Sequence, residues 1–363
     1  MSEKMGVLIQ GAGWVSGEHT KAYQNNPHTE ILAICDIKIE KARQRAKEAG
    51  LEKVALYTDL DQALKHDGID IVSICTPQHL HAENTIKAAQ AGKHMVIEKA
   101  IANSLDEMRA MRDAVRKAGV KTVVSFVLRW NPMIQTVKSL IADDVVGKIY
   151  YVETDYQSNI ASWWSGWEDA RTRDKGVSAI LVAGCHAVDA ARWLAGQGRE
   201  QAARVTEVFA YRGGWRKGSD REWNCYTGKW ANGRPIMEYD GLEIVLLKFD
   251  TGAIGKVSTN YDCIMPYTLP VEVFGDKGTI KGNRIWSHKF PGQKGWVEIP
   301  TILPDTADVA HHPFQTEIDH LVDCIQNNRE SYCNLEEAIR SHEVAFAAMQ
   351  CYETGQPVKL PLL

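Results

Sequence analysis

Five short, β-branched apolar runs stand near the start of the chain, each separated from the next by a stretch of helical periodicity. They are Val7-Leu8-Ile9, Ile31-Leu32-Ala33-Ile34, Ile69–Ile74, Met95-Val96-Ile97 and Thr122-Val123-Val124. Runs that are apolar throughout, rather than alternating with polar residues, suit parallel strands covered on both faces. The intervening stretches have readable ends. Ser104 and Glu107 form a capping box, after which Met108, Met111 and Val115 line one face. Gly92 stops the stretch over 82–91. Strands and helices in strict alternation imply an α/β domain with a doubly wound parallel sheet.

Beyond about Trp130 the texture changes. Residues 148–156, Leu242–Phe249 and 253–259 alternate in period two, and 271–281 reads as a hairpin turning at Gly275-Asp276-Lys277-Gly278. Such strands build an open, mostly antiparallel sheet whose second face is solvated or covered by a partner. Two helices close the chain. Ile318, Leu321, Val322 and Ile325 stripe the first, and Asn334 with Glu337 caps the second. With 363 residues, the chain is too long for one core. Residues 1–126 read as a Rossmann domain and 127–363 as an α+β domain.

The first run ends in Gly11-Ala12-Gly13-Trp14-Val15-Ser16-Gly17 and enters a helix. The first two glycines allow a tight turn and close approach of backbone to a pyrophosphate, which then meets a helix N-terminus. Ser16, with Gly17 beside it, is the small residue that lets helix and strand pack. Asp36 ends the second run about 20 residues on, as the ribose-binding acid of this motif does. Its carboxylate accepts from the adenine ribose hydroxyls and repels a 2′-phosphate, so NAD is expected over NADP. The next candidate positions are two later strand ends, Thr76-Pro77 with His81, and Glu98-Lys99. The carboxyl ends of parallel strands face the ligand crevice. A lysine at a buried strand end is costly unless paired or used.

The formal charge of −4 provides no basic footprint for nucleic acid. No apolar run is long enough for a bilayer and no leader is read, so a cytoplasmic enzyme is expected. The eight cysteines are scattered without C-x-x-C, and His311-His312 is not read as a metal site. No metal is expected.

In the order and spacing of its motifs the chain resembles the Gfo/Idh/MocA oxidoreductases over nearly its whole length. The matching pieces are the glycine turn, Thr76-Pro77 with His81, Ala91-Gly92-Lys93-His94 leading to Glu98-Lys99, and Gly184-Cys185-His186-Ala187-Val188-Asp189 followed by Arg192-Trp193-Leu194. The resemblance implies hydride transfer between NAD and a carbinol of a sugar or polyol. It also implies oligomerisation through the C-terminal sheet. It assigns Lys99 to the reacting oxygen, His186 to general acid/base work and Asp189 to substrate. The nucleotide positions carried with it are Gly11, Gly13, Trp14, Val15, Ser16, Asp36, Ile37, Thr76, Pro77, His81, Glu98 and Lys99. Two positions depart from the pattern. Ala100 stands where the lysine motif has proline, and Val182 where many polyol-oxidising members have aspartate.

Residues 156–173 are rich in aromatic and polar groups, which suit the apolar face and hydroxyl rim of a sugar ring. Tyr156, Asn159, Trp163 and Trp164 are therefore substrate candidates, Arg129 is a further one, and the segment 215–230 is a lid or an oligomer arm. The reading is oxidation of a secondary hydroxyl of a sugar or glycoside, at C3 by analogy with glycoside-oxidising relatives. The alternatives are an NAD-dependent glycosidase working by transient oxidation and a ligand-sensing regulator on the same fold.

Overall fold

The computed structural model describes residues 4–304 and 312–363. His311 lies outside them. Two compact units divide the chain: Met1–Val127 with Pro313–Ile339, and Leu128–His312 with Arg340–Leu363.

The first unit holds six parallel strands, β1 (Met5–Gln10), β2 (Thr29–Cys35), β3 (Ala55–Tyr57), β4 (Ile69–Ile74), β5 (His94–Ile97) and β6 (Thr122–Val124), in the order β3-β2-β1-β4-β5-β6. The strand order reverses between β1 and β4, which opens a crevice at their carboxyl ends. Val7, Leu8, Ile9, Ile34, Ile71, Val72, Met95, Val96 and Ile97 are buried without exception, as expected of strands covered on both sides. The strand β3 was not among the apolar runs. It is three residues long, at the sheet edge and only half-buried, so hydrophobicity leaves little trace of it.

Helices Trp14–Asn25, Ile39–Glu48, His81–Gln90 and Leu105–Ala118 connect these strands. The last begins as its sequence predicts. The Ser104 hydroxyl accepts from the Glu107 amide at 3.2 Å, while Glu107 accepts from the Asn103 amide at 2.7 Å. It ends at Gly119, with φ +66°. Helix Phe314–Gln326 also belongs to this unit, so compactness assigns here a stretch that sequence order places after the second domain. Gln315 donates to the Ala22 carbonyl, Asn26 donates to Asp319 at 2.7 Å, and Phe314 lies against the His19 ring. Those contacts fix the Phe314–Gln326 helix against Trp14–Asn25.

In the second unit the main sheet has nine strands: β7 (Ile149–Gln157), β8 (Val205–Gly213), β11 (Leu242–Phe249), β12 (Ile254–Asn260), β13 (Val271–Gly275), β14 (Gly278–Lys281), β15 (Arg284–Ser287), β16 (Val297–Glu298) and β17 (Val358–Lys359). A separate hairpin supplies β9 (Glu222–Asn224) and β10 (Lys229–Ala231). The sheet order is β16-β15-β14-β13-β7-β12-β11-β8-β17, and every pairing is antiparallel except β7 with β12. The predicted hairpin forms with Phe274 opposite Thr279. One face of the sheet carries the Cys185–Ala195 helix, tied down where Thr154 Oγ1 donates to the Ala187 carbonyl at 2.7 Å. On β11 alternate residues Glu243, Val245, Leu247 and Phe249 are buried, whereas Ile244 and Leu246 are exposed beside Tyr211 and Ile254.

Candidate functional site

Gly11 turns the chain out of β1 with φ +90°, and a Cβ there would stand 2.8 Å from the Cys75 carbonyl and the Thr76 nitrogen. Both facts demand glycine. Gly13 is different: it is extended, and a Cβ would meet nothing within 4 Å. It heads the Trp14–Asn25 helix without any side-chain cap, so the first amide groups of that helix remain available to an anion. Open space above a bare helix N-terminus is what a pyrophosphate requires. Asp36 holds the turn from the side, accepting from the Ala12 amide at 2.9 Å and the Lys38 amide at 2.8 Å. Each carboxylate oxygen retains a further lone pair for a ribose hydroxyl. Ser16 donates to the Gly13 carbonyl at 2.6 Å. Trp14 and Ile37 are exposed at the rim.

At the ends of β4 and β5, His81 is fully engaged. Its ring nitrogens lie 2.7 Å from the Ala100 and Thr76 carbonyls. Burial pushes the imidazole below its ordinary value, against the opposite pull of those carbonyls. It thus joins two loops at the carboxyl ends of β4 and β5. Asn84 orders the Thr76 hydroxyl at 2.9 Å. Glu98 is likewise buried and inward. One oxygen meets His19 Nε2 at 3.1 Å, and the other accepts from the Lys99 amide at 3.2 Å. His19 Nδ1 in turn meets Ser73 Oγ at 2.8 Å. Burial opposes the charge of Glu98, but His19, Lys99 and His81 outweigh it and hold the carboxyl below its usual range. Lys99 is half-buried, immediately past the carboxyl end of β5, and its peptide bond to Ala100 is cis.

In the second unit His186 occupies the first turn of the Cys185–Ala195 helix, directly after a π-helical turn, Ile180–Gly184. A Cβ on Gly184 would stand 1.8 Å from Thr259 Oγ1, so glycine lets this turn lie on β12. His186 is buried, and the Tyr156 ring stacks parallel to it at 6.4 Å. Tyr267 tilts against Tyr156 at 5.0 Å, and His312 against Tyr267 at 6.3 Å. Asn159 is buried. Its amide donates to the Cys263 carbonyl at 3.0 Å, and its Oδ1 has no hydrogen-bond partner among the described residues. Trp163 donates its indole N–H to the Asn159 carbonyl at 2.9 Å.

Three other candidates have structural surroundings. Asp189 receives both Nε and Nη2 of Arg129, at 2.7 and 2.6 Å, and the Ser341 hydroxyl at 2.7 Å. All three are buried. Arg129 and Asp189 thus form a buried, two-pronged ion pair. Trp164 packs on the apolar cluster of Trp167, Val182, Tyr239 and Tyr261, so its ring serves the core. The same cluster accounts for Val182, since a carboxylate at that position would be desolvated among aromatic rings.

The model of the oxidoreductase family with NAD-binding Rossmann fold matches residues 5–126, and that of the family's C-terminal alpha/beta domain matches 138–360. The chain belongs to the Gfo/Idh/MocA family. It is 27% identical to scyllo-inositol 2-dehydrogenase (NAD(+)) of Bacillus subtilis, covering 99% of this chain and 97% of that protein. Against D-glucoside 3-dehydrogenase of Escherichia coli it is 28% identical over 54% of this chain and 55% of that one. A levoglucosan dehydrogenase solved with NADH and levoglucosan superposes with TM-score 0.84 at 21% identity, over 99% of this chain and 100% of that one.

As in its family, the N-terminal domain of this oxidoreductase is an NAD-binding Rossmann fold. Beyond the family motifs, the structure adds residues that motif reading missed. His19 has a legible signal, a polar residue on the buried face of the helix after the glycine turn. Glu317 has none in the local pattern. It lies buried on the Phe314–Gln326 helix, accepts from Ser125 Oγ at 2.6 Å, and is pushed up to about 8 by burial.

Proposed function

We propose that this protein is an NAD-dependent dehydrogenase acting on a secondary hydroxyl of a sugar or glycoside, with Lys99 and His186 as its catalytic pair. The carrying observation is the setting of His186: a buried imidazole stacked on Tyr156, with the unpartnered acceptor of Asn159 three residues farther along the same chain segment. Family membership supplies the class of reaction, and the dehydrogenases of inositol, levoglucosan and glucosides to which the chain is similar supply the class of substrate.

In this reading the oxidised nicotinamide, when bound, supplies the hydride acceptor. Gly13 and the uncapped amides after it hold the pyrophosphate, and Asp36 holds the adenine ribose. The carbinol proton passes to a ring nitrogen of His186, which acts as the general base. Lys99 Nζ donates to the carbinol oxygen and stabilises charge that develops there. Asn159 Oδ1 accepts from a neighbouring hydroxyl, which orients the ring. Position C3 follows the D-glucoside 3-dehydrogenase likeness. A homo-oligomer covering the exposed Ile244, Leu246, Tyr211 and Ile254 completes the proposal, in a cytoplasmic setting.

The test is a panel of polyols, free sugars and glycosides with NAD, followed at the reduced-nicotinamide absorbance band and by mass spectrometry of products. Loss of two hydrogens from one class of compound is expected. No oxidised product from any of them, with NAD still bound, overturns the reading in favour of a sensing role.

A further inference from the structure

The segment 215–230, expected from the sequence to be a lid or an oligomer arm, folds into an aromatic hairpin braced on both sides. Trp223 faces Trp230 across the β9/β10 pair, with ring centroids 5.4 Å apart. Trp215 packs on Trp230 at 5.7 Å, and the Arg221 guanidinium lies 4.5 Å over the same ring. The turn is capped by Asn224, whose side-chain oxygen accepts from the amides of Tyr226 and Thr227 at 2.9 and 3.0 Å.

Two buried charges fasten this hairpin to the segment that follows Tyr156. Glu222 receives the Ser162 amide at 3.1 Å and the Ser162 hydroxyl at 2.6 Å. Arg216 donates to the Ile160 carbonyl at 2.6 Å and the Tyr261 carbonyl at 2.9 Å. The result is a fixed pair at the tip: Trp163 and Tyr226 meet edge to face at 4.9 Å, still 37% and 52% exposed. The only N–H of the Trp163 ring is already committed to Asn159, so the indole offers its hydrocarbon surface alone. The Trp163 indole bonds the Asn159 carbonyl, so the hairpin tip is tied to the segment that carries Tyr156 and Asn159.

We propose that Trp163 and Tyr226 form a platform for a second ring, so that the substrate is a glycoside whose aglycone or adjoining sugar stacks there while the first ring is oxidised. This rests on the dehydrogenase reading and narrows its substrate from sugars in general to glycosides. A rigid aromatic pair loses little entropy on binding, and its apolar surface matches the C–H face of a sugar or a flat aglycone better than it matches a hydroxyl rim. A free monosaccharide leaves the platform bare.

The experiment measures binding to the full-length, NADH-saturated protein by calorimetry, since the reduced cofactor cannot accept a hydride from the carbinol. The probes are the free sugar, methyl glycoside and 4-nitrophenyl glycoside in the gluco, galacto, manno and xylo configurations. In at least one configuration the 4-nitrophenyl glycoside binds about tenfold tighter than the free sugar. Trp163→Ala and Tyr226→Ala each reduce that ratio to about twofold, and Trp163→Phe, which keeps a ring, preserves most of it. A ratio unchanged in the alanine variants, or no preference in the parent, overturns the proposal. So does a change of sedimentation coefficient in these variants with the ratio intact, which would make the hairpin a contact between copies of the chain. Binding is read without turnover, so a parent that prefers glycosides yet oxidises none loses the dehydrogenase reading and keeps the platform.

Discussion

Single side chains carry the chemistry, and their surroundings set what substitution does. Lys99→Ala and His186→Ala are each expected to lower kcat by about a hundredfold or more, with NAD affinity, read by fluorescence titration, nearly unchanged. Activity within a few fold of the parent in both would remove them from the reaction. In the proposed reading Asp36→Ala has a double effect, because it releases the Ala12 amide as well as the ribose. NAD binding weakens by about tenfold, from the loss of hydrogen bonds to a charged group, and discrimination against NADP shrinks. Steady-state kinetics with both nucleotides check this. Glu317 supplies a pH signature. Its carboxyl keeps a proton up to about pH 8 in the folded chain, while in the unfolded chain it ionises near 4 to 5. Across that window the unfolded state binds fewer protons, so this group makes stability fall as pH rises. Glu317→Gln should therefore gain on the parent between pH 5 and pH 8, by a few kcal/mol at most. Denaturant melts at the two pH values would show it, and an equal difference at both would refute the assignment.

Elements were legible to the degree that their residues act locally. Ser104, Glu107 and Gly119 mark a helix from within a few positions, and Met108, Met111 and Val115 are buried where their spacing puts them. Gly11 was legible because one backbone conformation demands it. The strand β3 was not, since a half-buried edge strand lacks the hydrophobic run that betrays its neighbours. Pairings such as Glu98 with His19, Ser125 with Glu317, or Arg216 with Ile160 join positions between 56 and 192 residues apart, and no local pattern encodes them. His81 shows the converse: its motif position was clear, but its role depended on which carbonyls the fold brought to its ring. Val182 belongs to this scale. Because the π-helical turn packs into an aromatic cluster, Val182→Asp is expected to cost about 3 kcal/mol or more. It should not restore an additional catalytic acid. Thermal melts and turnover, measured together, decide the point.

At the level of the whole molecule, each compact unit brings one part of the proposed chemistry, a nucleotide cradle with Lys99 in one and a buried imidazole with its aromatic surroundings in the other. The nine-stranded sheet adds an apolar exterior on β11 and its neighbours. Ile244→Asp with Leu246→Asp should shift the sedimentation coefficient toward that of a monomer, if this surface is covered by a second copy as proposed. An unchanged coefficient would leave the exposed leucine and isoleucine without that explanation. The polar thread from Ser73 through His19 and Glu98 to the Lys99 amide has a wider implication. It ties the helix proposed to receive the phosphates to the backbone that carries the amine, inside one compact unit. Neither part can drift without dragging the other, so adaptation to a new nucleotide and adaptation to a new substrate are mechanically linked. Successful changes at the glycine turn should come paired with adjustments at positions 19 or 98.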